Sequence, residues 1–184
     1  MSATTDRPAS PRGSAQGLPA RLALKSEGPP RGLLDGAWWP RSRELSAELP
    51  ALAAALDHRW GRITRAAVNP RHWPDVPRKV TWGGRVMKVG WFDAELDPHT
   101  ISLVSQTGRR ELLVIPPEAG APSAERLMAG AIEDEGPPRT ASALMAGEEA
   151  RAYGPAPGGA RDSEEAWEDE GGARKPPTGT APTP

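Results

Sequence analysis

The segment Arg78-Lys-Val-Thr-Trp82, Gly83-Gly84, Arg85-Val-Met-Lys-Val-Gly-Trp91 decides the fold class. Two β-rich runs flank a two-residue Gly-Gly, and glycine is what a type I′ or II′ hairpin turn needs at its positive-φ positions. The segment therefore predicts a β-hairpin. Alternation assigns its faces: Val80 and Trp82 share one, while Met87, Val89 and Trp91 oppose Val86, Lys88 and Gly90.

Toward the C-terminus, Asp93 to Pro98 is a connection. His99-Thr-Ile-Ser-Leu-Val-Ser105 and Glu111-Leu-Leu-Val-Ile115 predict two further strands, joined by Gln106 to Arg110. The second is almost continuously apolar, which places it inside a sheet. Pro116-Pro117 ends it. Ser123 can cap a helix through Ile132 with Leu127, Met128 and Ala131 turned inward, and a last turn or two of helix can run from Thr140 to Ala150.

Toward the N-terminus, three prolines between 70 and 77 make a loop, and Ile63, Ala66 and Val68 predict a strand before it. Leu45, Leu49, Leu52 and Leu56 form one apolar stripe at helical spacing. Ser42 is its candidate N-cap and Gly61 its stop. Pro50 lies inside the stripe, where it either kinks the helix or starts a second one. Gly32 to Ser42 has no clean period and is expected to be an ordered loop. Arg21 to Lys25 predicts the first strand. The resulting order, β-α-β-β-β-β-β-α, describes an α+β domain. Its expected core is a mainly antiparallel sheet of five to six strands with the Leu-striped helix packed on one face.

Composition bounds this domain. Residues 1–18 and 151–184 carry little that can be buried, so they are expected to be a disordered N-terminal segment and a disordered acidic Pro/Gly-rich tail around one domain over 19–150. Residues 1–132 hold 18 Lys and Arg against 13 Asp and Glu, whereas 133–184 hold 5 against 11. A mildly basic body thus precedes an acidic tail. The plain reading of that tail is a solvating segment; the sharper one is that it folds back on the body and competes with an acidic ligand. The chain has no cysteine, hence no disulfide framework and no thiolate ligand or nucleophile. No apolar run approaches the roughly 20 residues of a membrane span. The N-terminus has no apolar signal region, so the cytoplasm is the default compartment.

Several strings, namely Gly32-Leu-Leu-Asp-Gly-Ala-Trp-Trp-Pro-Arg-Ser42, Asn69-Pro-Arg-His-Trp-Pro-Asp-Val-Pro77, Val89-Gly-Trp-Phe92 with Asp97-Pro-His-Thr100, and Leu112-Leu-Val-Ile-Pro-Pro117, have a family likeness. In this order they resemble an uncharacterised family of short actinobacterial, Streptomyces-type proteins, over about Arg21 to Ala146. The resemblance implies a domain extent and a bacterial origin, and it implies no chemistry.

Three residue types bear on function. Six of the seven tryptophans lie between 38 and 91, beside a single Phe and a single Tyr. They suit either a stacking surface for a planar ligand or the plain role of filling a small core. Arg41, Arg43, Arg59, Arg62, Arg65, Arg71, Arg78 and Arg85 are interleaved with them, as on single-stranded nucleic-acid surfaces, but the excess positive charge is modest. His72 and His99, with Asp35, Asp75, Asp93 and Asp97, form the one polar constellation. A metal site would require both histidines to converge with a carboxylate, and no local spacing builds that. No nucleophile elbow, phosphate-cradling loop or cofactor motif is present, so no cofactor and no metal are expected.

These features favour a non-enzymatic binding or regulatory module that contacts a protein partner through an Arg/Trp-rich surface. Its candidate residues are Asp35, Trp38, Trp39, Arg41, Arg43, His72 and Trp73. The alternatives are a small-molecule or nucleotide-type pocket lined by the same residues and a weak single-stranded nucleic-acid surface. An enzyme ranks behind the ligand pocket.

Overall fold

The computed structural model describes residues 18–154, apart from 27, 29–31, 93–95 and 135. The two segments expected to be disordered lie outside the described residues, except for Leu18 and residues 151–154. In chain order the elements are β1 (Arg21–Leu24), β2 (Gly36–Trp39), α1 (Leu45–Trp60), β3 (Ile63–Val68), a 3₁₀ turn (Pro70–His72), β4 (Lys79–Trp82), β5 (Arg85–Trp91), β6 (Thr100–Ser105), β7 (Gly108–Val114), α2 (Ala121–Ile132) and α3 (Ala141–Tyr153).

The hairpin forms as its glycines dictate. Gly83 and Gly84 both take positive φ, 49° and 73°, and Trp82 pairs with Arg85 across a two-residue turn. Around it the sheet is larger and less regular than the sequence suggests. Seven strands run in the order β1-β2-β7-β6-β3-β5-β4. The expected mainly antiparallel sheet of five to six strands is corrected to a mixed sheet, because β2 pairs with β7 and β3 with β5 in parallel. The missed strand is β2, in the segment expected to be a loop. Its Ala37 is buried toward one face and Trp38 toward the other. A strand covered on both sides has no polar alternation to betray it. The helical stretch expected from Thr140 to Ala150 forms as α3, a third helix that the expected element order left out.

The helix α1 starts at Leu45. Glu44 takes the N-cap position, two residues after the expected Ser42. Ser42 still serves the helix start: its Oγ accepts the Glu44 N–H at 3.3 Å and donates to Glu48 Oε1 at 2.9 Å. Of the two outcomes expected at Pro50, a second start does not occur; one helix runs through it. Leu45, Leu49, Leu52 and Leu56 are fully buried against the sheet. At about 1.5–3 kcal/mol per side chain, that burial outweighs the roughly 3 kcal/mol a helical proline costs. Gly61 (φ 73°) closes the helix with an N–H bond to the Asp57 carbonyl, as expected.

Two cores result. The α1 face packs Trp38, Trp60, Val68, Trp73, Met87, Ile101, Leu103 and Leu112 with the leucine stripe. On the opposite face α2 and α3 bury Leu127, Ala131, Leu144 and Met145 against Ala37, Leu113 and Ile115. The second layer reaches only the β2–β7 side. Leu113 is the register partner of Thr100, and Ala67 that of Ser102 and Gly90. By strand alternation all of these share the α2–α3 face. Among the described residues, no helix packs on the part of that face over β6, β3 and β5.

Candidate functional site

The seven residues singled out from the sequence do not form one surface. Asp35 is a strut between strands: Oδ2 accepts the Glu111 N–H at 2.8 Å and Oδ1 accepts from Arg110 at 3.2 Å. Trp38 is 1% exposed and stacks on Trp73, with ring centroids 5.8 Å apart, inside the α1 core. Trp39 is half-buried beneath the Arg21 guanidinium, which sits 3.5 Å above its ring. Arg41 donates to the Pro19 carbonyl and ties down the chain before β1.

Arg43, His72 and Trp73 do meet. Arg43 grips both Glu118 carboxylate oxygens, at 2.6 and 2.8 Å, and donates to the His72 carbonyl at 2.8 Å. The shared ion pair raises the Arg43 pKa and lowers that of Glu118. His72, held by the 3₁₀ turn that Asn69 caps, lies against His99, with ring centroids 4.5 Å apart. The convergence that sequence spacing could not guarantee thus occurs. Pro40, Pro116, Pro117, Trp73 and Val114 wall the pair into a cavity of about 10 Å³. His72 Nε2 and His99 Nδ1 are buried and have no hydrogen-bond partner among the described residues.

Burial, helped by His99, Arg43 and Arg71, holds His72 below the ordinary imidazole range. Burial does the same to His99, against the opposing pull of Asp97 and Glu149. Both rings are thus kept neutral near pH 7. The cavity has room for about one water. Among the described residues no three His, Cys, Asp or Glu side chains are arranged to hold a metal ion. Asp97 is spent elsewhere: Oδ1 accepts from the His99 N–H and the Ser142 hydroxyl, and Oδ2 from the Ser142 N–H. The pair is thus half-buried, with one inward-facing nitrogen on each ring.

One groove of a size to take a ligand lies on the part of the α2–α3 face over β6, β3 and β5. The groove, of about 570 Å³, has Ala67, Gly90 and Ser102 as its floor, with Val104 and Leu96 beside them. Arg65 from β3, Lys88 from β5 and Arg109 from β7 rim it, and Phe92, 49% exposed, stands at one end. Each cation is there by strand parity. Arg65 pairs with Lys88 and Val104, and Val104 with Arg109, so their side chains project from one face. Arg109 is engaged by Glu111 at 2.6 Å. Arg65 and Lys88 form no ion pair among the described residues. The readable signal was the outward set on three strands, where small or cationic residues stand in place of the mixed polar residues of an ordinary wet face. Reading it required knowing that β3, β5 and β6 are neighbours.

The profile of a family described as a family of unknown function (DUF5994) matches residues 21–131. That span runs from β1 almost to the end of α2 and contains the whole groove. No curated protein and no solved structure matches the chain.

Proposed function

The chain belongs to the DUF5994 family, and on that premise we propose that it is a binding domain for a small anionic molecule carrying a flat group, of nucleotide type, taken up in the sheet-face groove. The observation that carries this reading is a floor of small residues between three converging cations. Ala67, Gly90 and Ser102 let a planar group approach the backbone closely. Arg65 and Lys88 supply charge that no described carboxylate neutralises. Phe92 offers a ring edge or face to stack on. The volume falls within the roughly 300–1,000 Å³ of small-molecule sites.

Among the described residues the groove's lining contains one hydroxyl and no imidazole, thiol or carboxylate, a set suited to binding rather than turnover. A protein partner at the Asp35–Arg43 segment, the reading favoured from sequence, would have to dock without Trp38, whose ring is core. The nucleic-acid alternative moves to the groove with the cations.

Titration with ATP at low salt, followed by the amide resonances of Ala67, Gly90 and Ser102, tests the proposal. Binding should weaken about tenfold in each of Arg65→Ala and Lys88→Ala, since a charge-assisted hydrogen bond contributes about 1.5–3 kcal/mol and 1.4 kcal/mol is a factor of ten. Arg41→Ala should leave it unchanged. Absence of any shift at those amides rejects the proposal. A response to a ten-residue oligothymidylate but not to ATP would move the reading to single strands.

A further inference from the structure

The groove's complement is written into the same chain. Among the residues after 154, Asp162-Ser-Glu-Glu-Ala-Trp-Glu-Asp-Glu170 carries six carboxylates, no cation and one tryptophan, Trp167. That is an anionic segment bearing a flat group, the chemistry that Arg65, Lys88, Arg109 and Phe92 present.

Geometry favours an encounter within one molecule. Leu144 and Met145 of α3 pack with Leu113 and Ile115, on the face of the sheet that carries the groove. The first turn of α3 is bonded to Asp97, the neighbour of groove residue Leu96. The chain therefore leaves Tyr153 on the groove's side of the molecule. Residues 154–161, Gly-Pro-Ala-Pro-Gly-Gly-Ala-Arg, can span about 26 Å when extended. A linker this short gives an effective concentration in the millimolar range, so even a segment with submillimolar affinity would occupy the groove most of the time.

We propose that residues 162–170 dock in the basic groove of their own chain and compete with its external ligand. This rests on the groove being an anion site, and it adds an internal competitor that sets the apparent affinity.

The test keeps the full chain and replaces Asp162, Glu164, Glu165, Glu168, Asp169 and Glu170 by Asn or Gln. The urea midpoints of the two chains are compared alongside, so that a change in stability is read separately from a change in binding. The amides of Ala67, Gly90 and Ser102 should shift between the native and neutralised chains, independently of protein concentration. ATP should bind the neutralised chain several-fold to about tenfold more tightly, with the gap closing as salt is raised. A synthetic peptide of residues 160–172 added to the neutralised chain should restore the native shifts, and Trp167→Ala should weaken them.

Identical groove resonances in the two chains would overturn the proposal, as would shifts confined to surfaces outside the groove. Shifts that grow with protein concentration would assign the occupant to a second copy and overturn the intramolecular form. Should the groove respond to the tail while ATP binds neither chain, the docking stands and the small-ligand reading falls. Should ATP bind both chains equally, the reverse holds.

Discussion

Gly36 shows how tightly single residues hold the fold. A Cβ on it would lie 2.2 Å from the Ala23 carbonyl oxygen and 2.9 Å from Leu24 Cα, both backbone atoms of the partner strand. Neither can yield without parting β1 from β2. Gly36→Ala should cost about 3 kcal/mol or more, the scale of overpacking combined with lost pairing, read as a lower urea midpoint. Trp38→Ala should cost about 3–5 kcal/mol, the range for a buried aromatic, so its effect on any binding would be inseparable from unfolding. The histidine pair gives a pH signature. Both folded pKa values lie below the unfolded value of 6.5. The unfolded chain therefore takes up protons first, and stability is full above about pH 6.5 and is lost as pH falls from there through the folded values. Urea midpoints measured from pH 7.5 to 5 should show this decline, and His72→Gln should flatten it. Glu118 and Glu148, whose pKa values are lowered from 4.5 by Arg43 and Arg126, hold their contribution above that value and lose it in a separate, more acidic window.

Among the elements, α3 is held at its start by a side chain outside itself. Thr140 caps it by accepting the Ala143 N–H, while Asp97 holds Ser142 through both carboxylate oxygens. Asp97→Ala removes those bonds together with the turn bond to His99. It should cost about 1–3 kcal/mol and raise hydrogen exchange selectively in α3. The bond from the His99 N–H to Asp97 is local, a turn contact two residues apart, whereas the bonds to Ser142 reach 45 residues along the chain. The same contrast runs through the other elements. The hairpin, the leucine stripe and the Gly61 stop were legible because their causes are local: turn chemistry, periodicity and a helix end. β2 was not, because Gly-Ala-Trp-Trp is a strand only by virtue of the layers on either side of it. Gly84→Val, which puts a β-branched residue at φ 73°, should destabilise the hairpin by about 1–2 kcal/mol.

At the scale of the molecule, the class α+β followed from the sequence, while the strand order did not, and the tryptophans divide between roles: Trp38, Trp60 and Trp73 are buried, whereas Trp91 is 48% exposed. The candidate site divided accordingly. Arg43, His72 and Trp73 gather because a loop folds over one end of the sheet, and Asp35, Trp39 and Arg41 brace separate seams. Arg65, Lys88 and Arg109 become one surface only when β3 is laid beside β5 and β6, a neighbourhood that alternation within single strands cannot reveal. The β2–β7 pairing carries a further consequence, for biosynthesis. Residues 36–38 find their parallel partners at 112–114. On the ribosome, Trp38 and Ala37 emerge long before the strand that completes their sheet. Ala37 and Trp38, which face opposite sides of the sheet, therefore wait for their partner strand until it is delivered. That closure is the long-range step that should limit the folding rate, and a nascent chain arrested before residue 112 should be the species that chaperones capture.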